Sequence, residues 1–260
     1  MRKWKISVAI AALAISLALS VSTPRTTYNF YETAQLSTVL VDVPDGWGSG
    51  FVIKRRNSSG TRLFVWTAGH VVDDAPATGV IVFIRTPEGN RVGQIRYPVI
   101  RTWRTDADAA LLQIEAPAEN FPDISIDADR PALGQPVFAV GNHHGSTYDG
   151  TITVGIVSQF GVARNDEKGL TWDLADQTTA EFNRGSSGGP VFSEHSHGVI
   201  GIAVGTSGNG INVYLPSRAI ARAASAAGIG WAVTGETCPE DAELRALPID
   251  VWTRIRHLFL

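Results

Sequence analysis

The residues best suited to chemistry are Ser187, His70 and Asp108, which stand far apart in a chain of 260 residues. Ser187 lies in Asn183-Arg184-Gly185-Ser186-Ser187-Gly188-Gly189-Pro190. Glycines on both sides let the backbone turn so tightly that the hydroxyl is presented and its own N–H faces the same way. Taken alone, the octapeptide also reads as an ordinary Gly-Ser-Pro loop. A serine hydroxyl holds its proton at neutral pH, so attack on a carbonyl needs a base to take it. Imidazole suits that task, because its ordinary pKa of about 6.5 leaves it neutral and able to return the proton. A carboxylate beside the imidazole would hold its tautomer and stabilise the imidazolium. His70, in Thr67-Ala68-Gly69-His70-Val71-Val72, and the acidic pair Asp106 and Asp108 supply those types. Singly, a histidine is usually structural or solvated, and acids at a strand start are commonly turn residues. Together they form a combination that could transfer protons and make a nucleophile.

The elements that must position these residues read as strands. Residues 36–43 form one, Pro44-Asp45-Gly46 a turn, and Gly48-Ser49-Gly50-Phe51-Val52-Ile53 the strand that answers it. Arg62-Leu63-Phe64-Val65-Trp66-Thr67 is a β-branched and aromatic run ending just before His70. Residues 80–85 and 91–97 flank Pro87-Glu88-Gly89-Asn90 as a hairpin, and a strand over 109–114 follows the acidic pair. Further strands are predicted over 136–140, 151–160, 171–179, 199–204 and 211–215. Many short strands with turn signals between them are the pattern of a sandwich or barrel. One helix is predicted, with Ser217 capping residues 218–226 and Gly228 stopping it.

Composition narrows the class. The chain is 44% hydrophobic and 18% charged with 26 glycines, which describes a turn-rich globular protein long enough to bury a full core. A net charge of −3 and a pI of about 6.1 leave no nucleic-acid footprint. The single cysteine, Cys238, excludes an intrachain disulfide framework. The N-terminus differs in kind. Arg2, Lys3 and Lys5 precede an uncharged run over residues 6–21, and Ala18, Ser20 and Ser22 stand where a signal peptidase could cut. Residues 1–22 are expected to be a secretory signal peptide, or a signal anchor if uncleaved, with the bulk of the chain outside the cytoplasm. Residues 23–35 read as a tether and 231–260 as a C-terminal extension of unknown role. Within that extension the apolar-basic stretch 249–260 reads as a helix packing on the folded domain, with a partner-binding or membrane-touching tail as the alternative.

The order His70, Asp108, Ser187 within an all-β chain resembles that of the trypsin-like serine proteases, and most closely the protease domain of the bacterial HtrA (Deg) group. The resemblance is carried by Gly48 to Ile53, Thr67 to Val72, Asp108-Ala109-Ala110-Leu111-Leu112, Val140-Gly141-Asn142 and Gly155-Ile156-Val157-Ser158. It continues through Asn183 to Pro190 and Val199-Ile200-Gly201-Ile202, with Pro216-Ser217 closing the barrel. It implies an all-β fold of two six-stranded antiparallel β-barrels over residues 36–230, with a C-terminal helix and a Ser-His-Asp triad in the cleft between the barrels. It assigns Ser187 as nucleophile and His70 as base. Asp108 rather than Asp106 is the orienting carboxylate, because only Asp108 fits the family's Asp-x-Ala-Leu pattern. The backbone N–H groups of Gly185 and Ser187 would receive the oxyanion. The implied protein is an endopeptidase acting on unfolded or extended polypeptide, periplasmic or secreted, with no cofactor, metal or nucleic-acid partner.

Several positions depart from the family pattern. Ser186 stands where the animal digestive enzymes have an aspartate that pairs with a freed N-terminus, so activation by that ion pair is not expected. Too few residues follow the closing helix for a PDZ domain, which leaves control to loops, tail or assembly. His143-His144 occupies a loop where the family often has a proline and an apolar residue, and the sequence gives no reason for the change. Glu181 falls where trypsin-like enzymes place the base of the S1 pocket, so it reads either as a floor selecting Lys or Arg or as a surface residue. Asn212 falls where a glycine usually keeps that pocket open, and Ile202-Ala203-Val204 is expected to offer a strand edge to extended substrate. The Gly-x-Ser-x-Gly of lipases also fits residues 185–189, but those enzymes put serine first and histidine last on an alternating α/β chain. Two alternatives stay open: a catalytically inactive relative acting as a binding module, and a metal site from His143, His144, His195 and His197.

Overall fold

Strands β2 (Gly46–Asn57) and β3 (Gly60–Ala68) pair so that Phe51 faces Trp66, Val52 faces Val65 and Ile53 faces Phe64. Side chains alternate across a strand, so Val52 and Val65 turn to one face and the aromatic pairs to the other. Both faces are buried. Val39, Val41, Leu63, Leu112 and Ile114 fill the first, while Trp103 and Leu111 join the aromatic face. These strands belong to a computed structural model that describes residues 29–86, 88–162, 175–208, 210–235 and 237–247. The signal or anchor over 1–22 and the stretch 249–260 lie outside the described residues. Among the described residues no helix is long and apolar enough to cross a membrane.

The first sheet adds β1 (Thr38–Val43), β4 (Gly79–Arg85), β5 (Arg91–Tyr97), β6 (Val99–Arg104) and β7 (Ala109–Ile114), in the order β5-β4-β1-β2-β3-β7-β6. The second unit is a closed barrel of β8 (Pro136–His143), β9 (Tyr148–Val162), β10 (Ala175–Thr178), β11 (Pro190–Ser193), β12 (Val199–Gly208) and β13 (Ile211–Pro216). Its interior holds Val137, Val157, Val191, Ile200 and Tyr214.

Of the expected pair of six-stranded barrels the second is present and closed, and the first half is a sheet of seven hydrogen-bonded strands. Its end strands, β5 and β6, are consecutive and separated only by Pro98. A hairpin needs about two loop residues, so these strands cannot pair with each other, and the chain rather than a ladder joins the two ends. Strands β6 and β11 carried no expectation from sequence.

The tether boundary also moves. Residues Phe30–Ser37 form helix α1, opened by a capping box between Asn29 and Glu32. Phe30 packs edge-on against Phe138 and Phe192, and Ala34 is fully buried, so apolar contact with the barrel holds the helix in place.

After the short helix α2 (Gly69–Val72) and a single 3-10 turn over Ala118–Asn120, the remaining helices among the described residues lie toward the C-terminus: α3 (Ser217–Ala226), α4 (Trp231–Thr234) and α5 (Asp241–Ala246). Pro216 takes the N-cap position of α3, and the Ser217 hydroxyl donates to the carbonyl of Asp127 instead of capping. The described part of the C-terminal extension packs on the aromatic face of the first sheet. Trp231 meets the Phe64 ring at 4.8 Å, and Leu244 is 1% exposed. The buried Arg55 guanidinium donates to the carbonyls of Trp231 (3.1 Å) and Ala232 (2.6 Å), and its burial lowers its pKa. Arg62 makes a two-pronged pair with Asp241 at 2.9 and 2.8 Å.

Candidate active site

Two strand ends bring the base and the carboxylate together. In the β3–β7 ladder Ala68 pairs with Ala109, so the residues just beyond, Gly69-His70 and Asp108, must meet. The Gly69 N–H donates to the Asp108 carbonyl at 2.9 Å, and the His70 N–H to Asp108 Oδ1 at 2.7 Å. His70 Nδ1 lies 3.0 Å from Oδ2 and 3.1 Å from Oδ1. Asp108 has a φ of 55°, a left-handed conformation that aspartate tolerates better than most residues. The Asp108 side chain is 5% exposed and that of His70 28%, so the carboxylate is enclosed while the ring is reachable. With Nδ1 turned to the carboxylate, Nε2 lies on the opposite side of the ring. Asp106 is exposed.

The serine loop joins β10 to β11 and is tied to both β units. From the first sheet, the Ser49 N–H donates to the Ser187 carbonyl at 2.7 Å, and the Ser49 hydroxyl to the Gly185 carbonyl at 2.6 Å. The same hydroxyl accepts the Asn142 N–H at 2.8 Å. From the barrel, Ala203 O accepts the Gly188 N–H at 2.8 Å while the Ala203 N–H donates to Gly189 O at 2.9 Å. Two glycines here carry positive φ, Gly185 at 96° and Gly188 at 89°. A Cβ on Gly188 would lie 2.0 Å from Ser49 O, and one on Gly185 2.3 Å from Asn142 O. Neither position has room for a side chain. Ser186 is buried, its N–H given to Asn183 O at 2.9 Å and its hydroxyl accepting the Asn183 N–H at 3.0 Å. Among the described residues the Gly185 and Ser187 N–H groups have no acceptor in the protein.

His70, Gly185 and Ser187 line one cleft of about 320 Å³, together with Trp47, Asp74 and Arg184. The Arg184 guanidinium stands 5.5 Å from the Trp47 ring centre, a cation–π contact across the cleft wall.

The specificity residues are placed differently from one another. Glu181 is exposed, so the reading of it as a buried floor gives way to the surface reading; its carbonyl accepts the Thr153 hydroxyl at 2.8 Å. Asn212 is buried, and its Oδ1 accepts the Phe182 N–H at 3.0 Å. Ala203 gives both backbone groups to Gly188 and Gly189, so the strand edge expected over 202–204 cannot begin before Val204. Val204 sits at a register shift between the pairs Ala203–Tyr214 and Gly205–Val213. Among the described residues no His, Cys, Asp and Glu side chains gather as a metal-ligand group, and the His197 ring stacks on Phe30.

Ser49, Asn142 and Trp47 had no individual role in the sequence. Their contacts join residues about a hundred positions apart, for which a single sequence carries no local signal.

A family model for the trypsin-like peptidase domain matches residues 48–202. Protease Do-like 1, chloroplastic, from Arabidopsis thaliana is 30% identical over 203 residues, covering 76% of this chain and 39% of that protein. A probable periplasmic serine endoprotease, DegP-like, from Marinomonas sp. is 34% identical over 149 residues, covering 56% of this chain and 27% of that protein. The chain thus spans well under half the length of the curated relatives it matches. The crystal structure of Deg5 shares the fold with a TM-score of 0.57 at 24% identity, covering 81% of this chain and 95% of that one.

Proposed function

We propose, for a chain that belongs to the trypsin-like peptidase family and has HtrA/DegP-like relatives, that it is an exported serine endopeptidase working through Ser187, His70 and Asp108. The observation that carries this reading is the His70–Asp108 pairing at 3.0 Å beside a cleft that Ser187 also lines. In the proposed reaction Ser187 Oγ attacks the peptide carbonyl as His70 Nε2 takes its proton. The Gly185 and Ser187 N–H groups receive the charge on the carbonyl oxygen. His70 then returns the proton to the nitrogen as the C–N bond breaks, leaving an ester on Ser187. Water, deprotonated by the same imidazole, hydrolyses that ester and restores the enzyme. Asp108 stays ionised throughout and holds Nδ1–H.

Extended polypeptide is the proposed substrate, lying along the β12 edge from Val204 onward. The basic-then-apolar N-terminus supports a periplasmic or secreted location, with residues 6–21 as an anchor if they are retained. The test is labelling of the full chain with a fluorophosphonate probe, beside Ser187→Ala, with casein digestion in parallel. Labelling and digestion should both vanish in the variant. A wild-type chain that neither labels nor digests favours the inactive binding module instead.

A further inference from the structure

His143 ends β8, and the turn that follows forms the floor beneath residues 183–185. The His144 N–H donates to Arg184 O at 2.8 Å, and the Gly145 N–H to Asn142 O at 3.2 Å. Asn142 O in turn lies so close under Gly185 that a Cβ there would come within 2.3 Å. The His143 ring is enclosed within this platform, 6% exposed. Its Nδ1 stands 3.5 Å from Asn183 Nδ2, at the long end of hydrogen bonding. An amide nitrogen only donates, so the pairing requires Nδ1 without a proton and the imidazole neutral.

Building on the endopeptidase reading, we infer that His143 is a positioning residue whose neutral imidazole accepts the Asn183 amide and braces the loop bearing Gly185 and Ser187. Protonation turns the acceptor into a second donor facing a donor. The loop then loses its brace, and the oxyanion donors their fixed place, with no change at the His70–Asp108 pair. The charged and titratable groups around the ring are His144 beside it, Glu181 on the facing loop, and Arg184, whose guanidinium stands over Trp47. Burial, followed by His144, moves the His143 pKa down from the ordinary histidine value, and Glu181 opposes them. The neutral acceptor is therefore the form present at pH 7, and its protonation is an acid-side event.

The test compares the full chain with His143→Asn and His143→Phe in steady-state hydrolysis of a fluorogenic peptide taken from a mapped casein cleavage site. Asparagine Oδ1 falls near the place of Nδ1, accepts and does not titrate; phenylalanine fills the space without an acceptor. At pH 7.5 His143→Asn should keep wild-type kcat within about twofold. His143→Phe should lose about tenfold in kcat with KM little changed, the cost of one hydrogen bond with its donor left unpaired. Below pH 7.5, through the acid range in which both proteins stay folded, the wild type should fall more steeply than the single-proton curve that His143→Asn follows, the extra loss reaching about tenfold where His143 is protonated.

Identical acid limbs for wild type and His143→Asn overturn the inference. So does a folded His143→Phe with wild-type kcat. If His143→Phe melts below the assay temperature, the acid-limb comparison with His143→Asn decides. A wild-type chain no more active than Ser187→Ala overturns the endopeptidase reading and this inference with it, whereas an active wild type with unaffected variants removes only the role of His143.

Discussion

Replacing Asp108 by asparagine separates the electrostatics of the proposed triad from its architecture. Asparagine is nearly isosteric and tolerates the left-handed φ of 55° at this position, so the turn before β7 should survive. Its single carbonyl oxygen can keep the 2.7 Å bond from the His70 N–H. The amide NH2 then faces His70 Nδ1, where a carboxylate oxygen stood at 3.0 Å. A donor there forces Nδ1 to accept, which moves the ring proton to Nε2, the nitrogen that must take the Ser187 proton. The base is present but in the wrong tautomer. The equivalent change in the serine-protease template lowers turnover about 10⁴-fold, or about 5.5 kcal/mol of transition-state stabilisation. Exchange of a charged acceptor for a neutral one should cost only about 1 kcal/mol of folding stability. The assay is kcat/KM on a fluorogenic peptide at pH 7.5, with thermal unfolding in parallel and Asp106→Asn as the control. Exposed Asp106 should tolerate the change within about twofold. An Asp108→Asn protein that is folded and within tenfold of wild type would refute the tautomer argument and the assignment of Asp108.

Three further outcomes are expected. Gly188→Ala places a methyl 2.0 Å from Ser49 O at a φ of 89°, so the chain should lose several kcal/mol of stability in urea titration along with its activity; a wild-type midpoint would contradict the close approach. Leu244→Ala, at a side chain 1% exposed beneath the C-terminal segment, should cost about 2–5 kcal/mol by the same titration, and a loss under 1 kcal/mol would mean that α5 is not part of the core. For pH, the folded chain holds His143 neutral to lower pH than the unfolded chain does. The unfolded state therefore binds more protons as pH falls below about 6.5, and stability declines from there down to the lowered folded value. His143→Asn should show a shallower decline in melting temperature over that window, and parallel curves for the two proteins would remove the effect.

What was legible in the sequence follows the range of the interactions involved. Short continuous apolar runs showed β3 and β7 as strands, because Phe64, Val65, Trp66, Leu111 and Leu112 are apolar and consecutive in segments buried on both faces. The residues meeting at the proposed site were nameable because their types are rare in combination and each sits at a strand end. Strand β11, with only the four residues Pro190–Ser193, is too short for periodicity to register and carries a proline at its start. Helix α1 looked like tether because its stability comes from Phe30 against Phe138 and Phe192, contacts with residues over a hundred positions away. For Glu181 the family resemblance left a pocket floor and a surface position both open, because burial depends on the path of distant strands, and the side chain is exposed.

The described contacts make the geometry of the serine loop a property of two units rather than of one. His70, in α2 just past β3, and Asp108, in the turn just before β7, are held at strand ends of the first sheet, and Ser187 lies in a loop of the barrel, so no helix or strand carries all three. What joins the halves is Ser49, whose N–H and hydroxyl hold the Ser187 and Gly185 carbonyls while its own oxygen receives the Asn142 N–H. The Gly185 and Ser187 N–H groups share peptide planes with the Arg184 and Ser186 carbonyls, which accept the His144 N–H and the Gly189 N–H, each at 2.8 Å; in a trans peptide the N–H points opposite to the C=O, so these bonds turn the two donors away from the loop's own contacts. Gly188 is required at this junction because the Ser49 carbonyl, the Thr67 hydroxyl and the Ala68 backbone nitrogen approach it from the sheet while Ala203 binds it from the barrel. The loop is therefore held by a hydrogen-bonding ring that includes Ser49, Asn142, Gly185 and Ser187, with His143 and Asn183 on its outer side. A change on the outer side can reach the cleft without touching His70 or Asp108, because the ring fixes where the loop backbone points. In this architecture the base is set by the register of β3 and β7, and the oxyanion donors by contacts across the two units, so the two halves of the proposed chemistry can be perturbed separately.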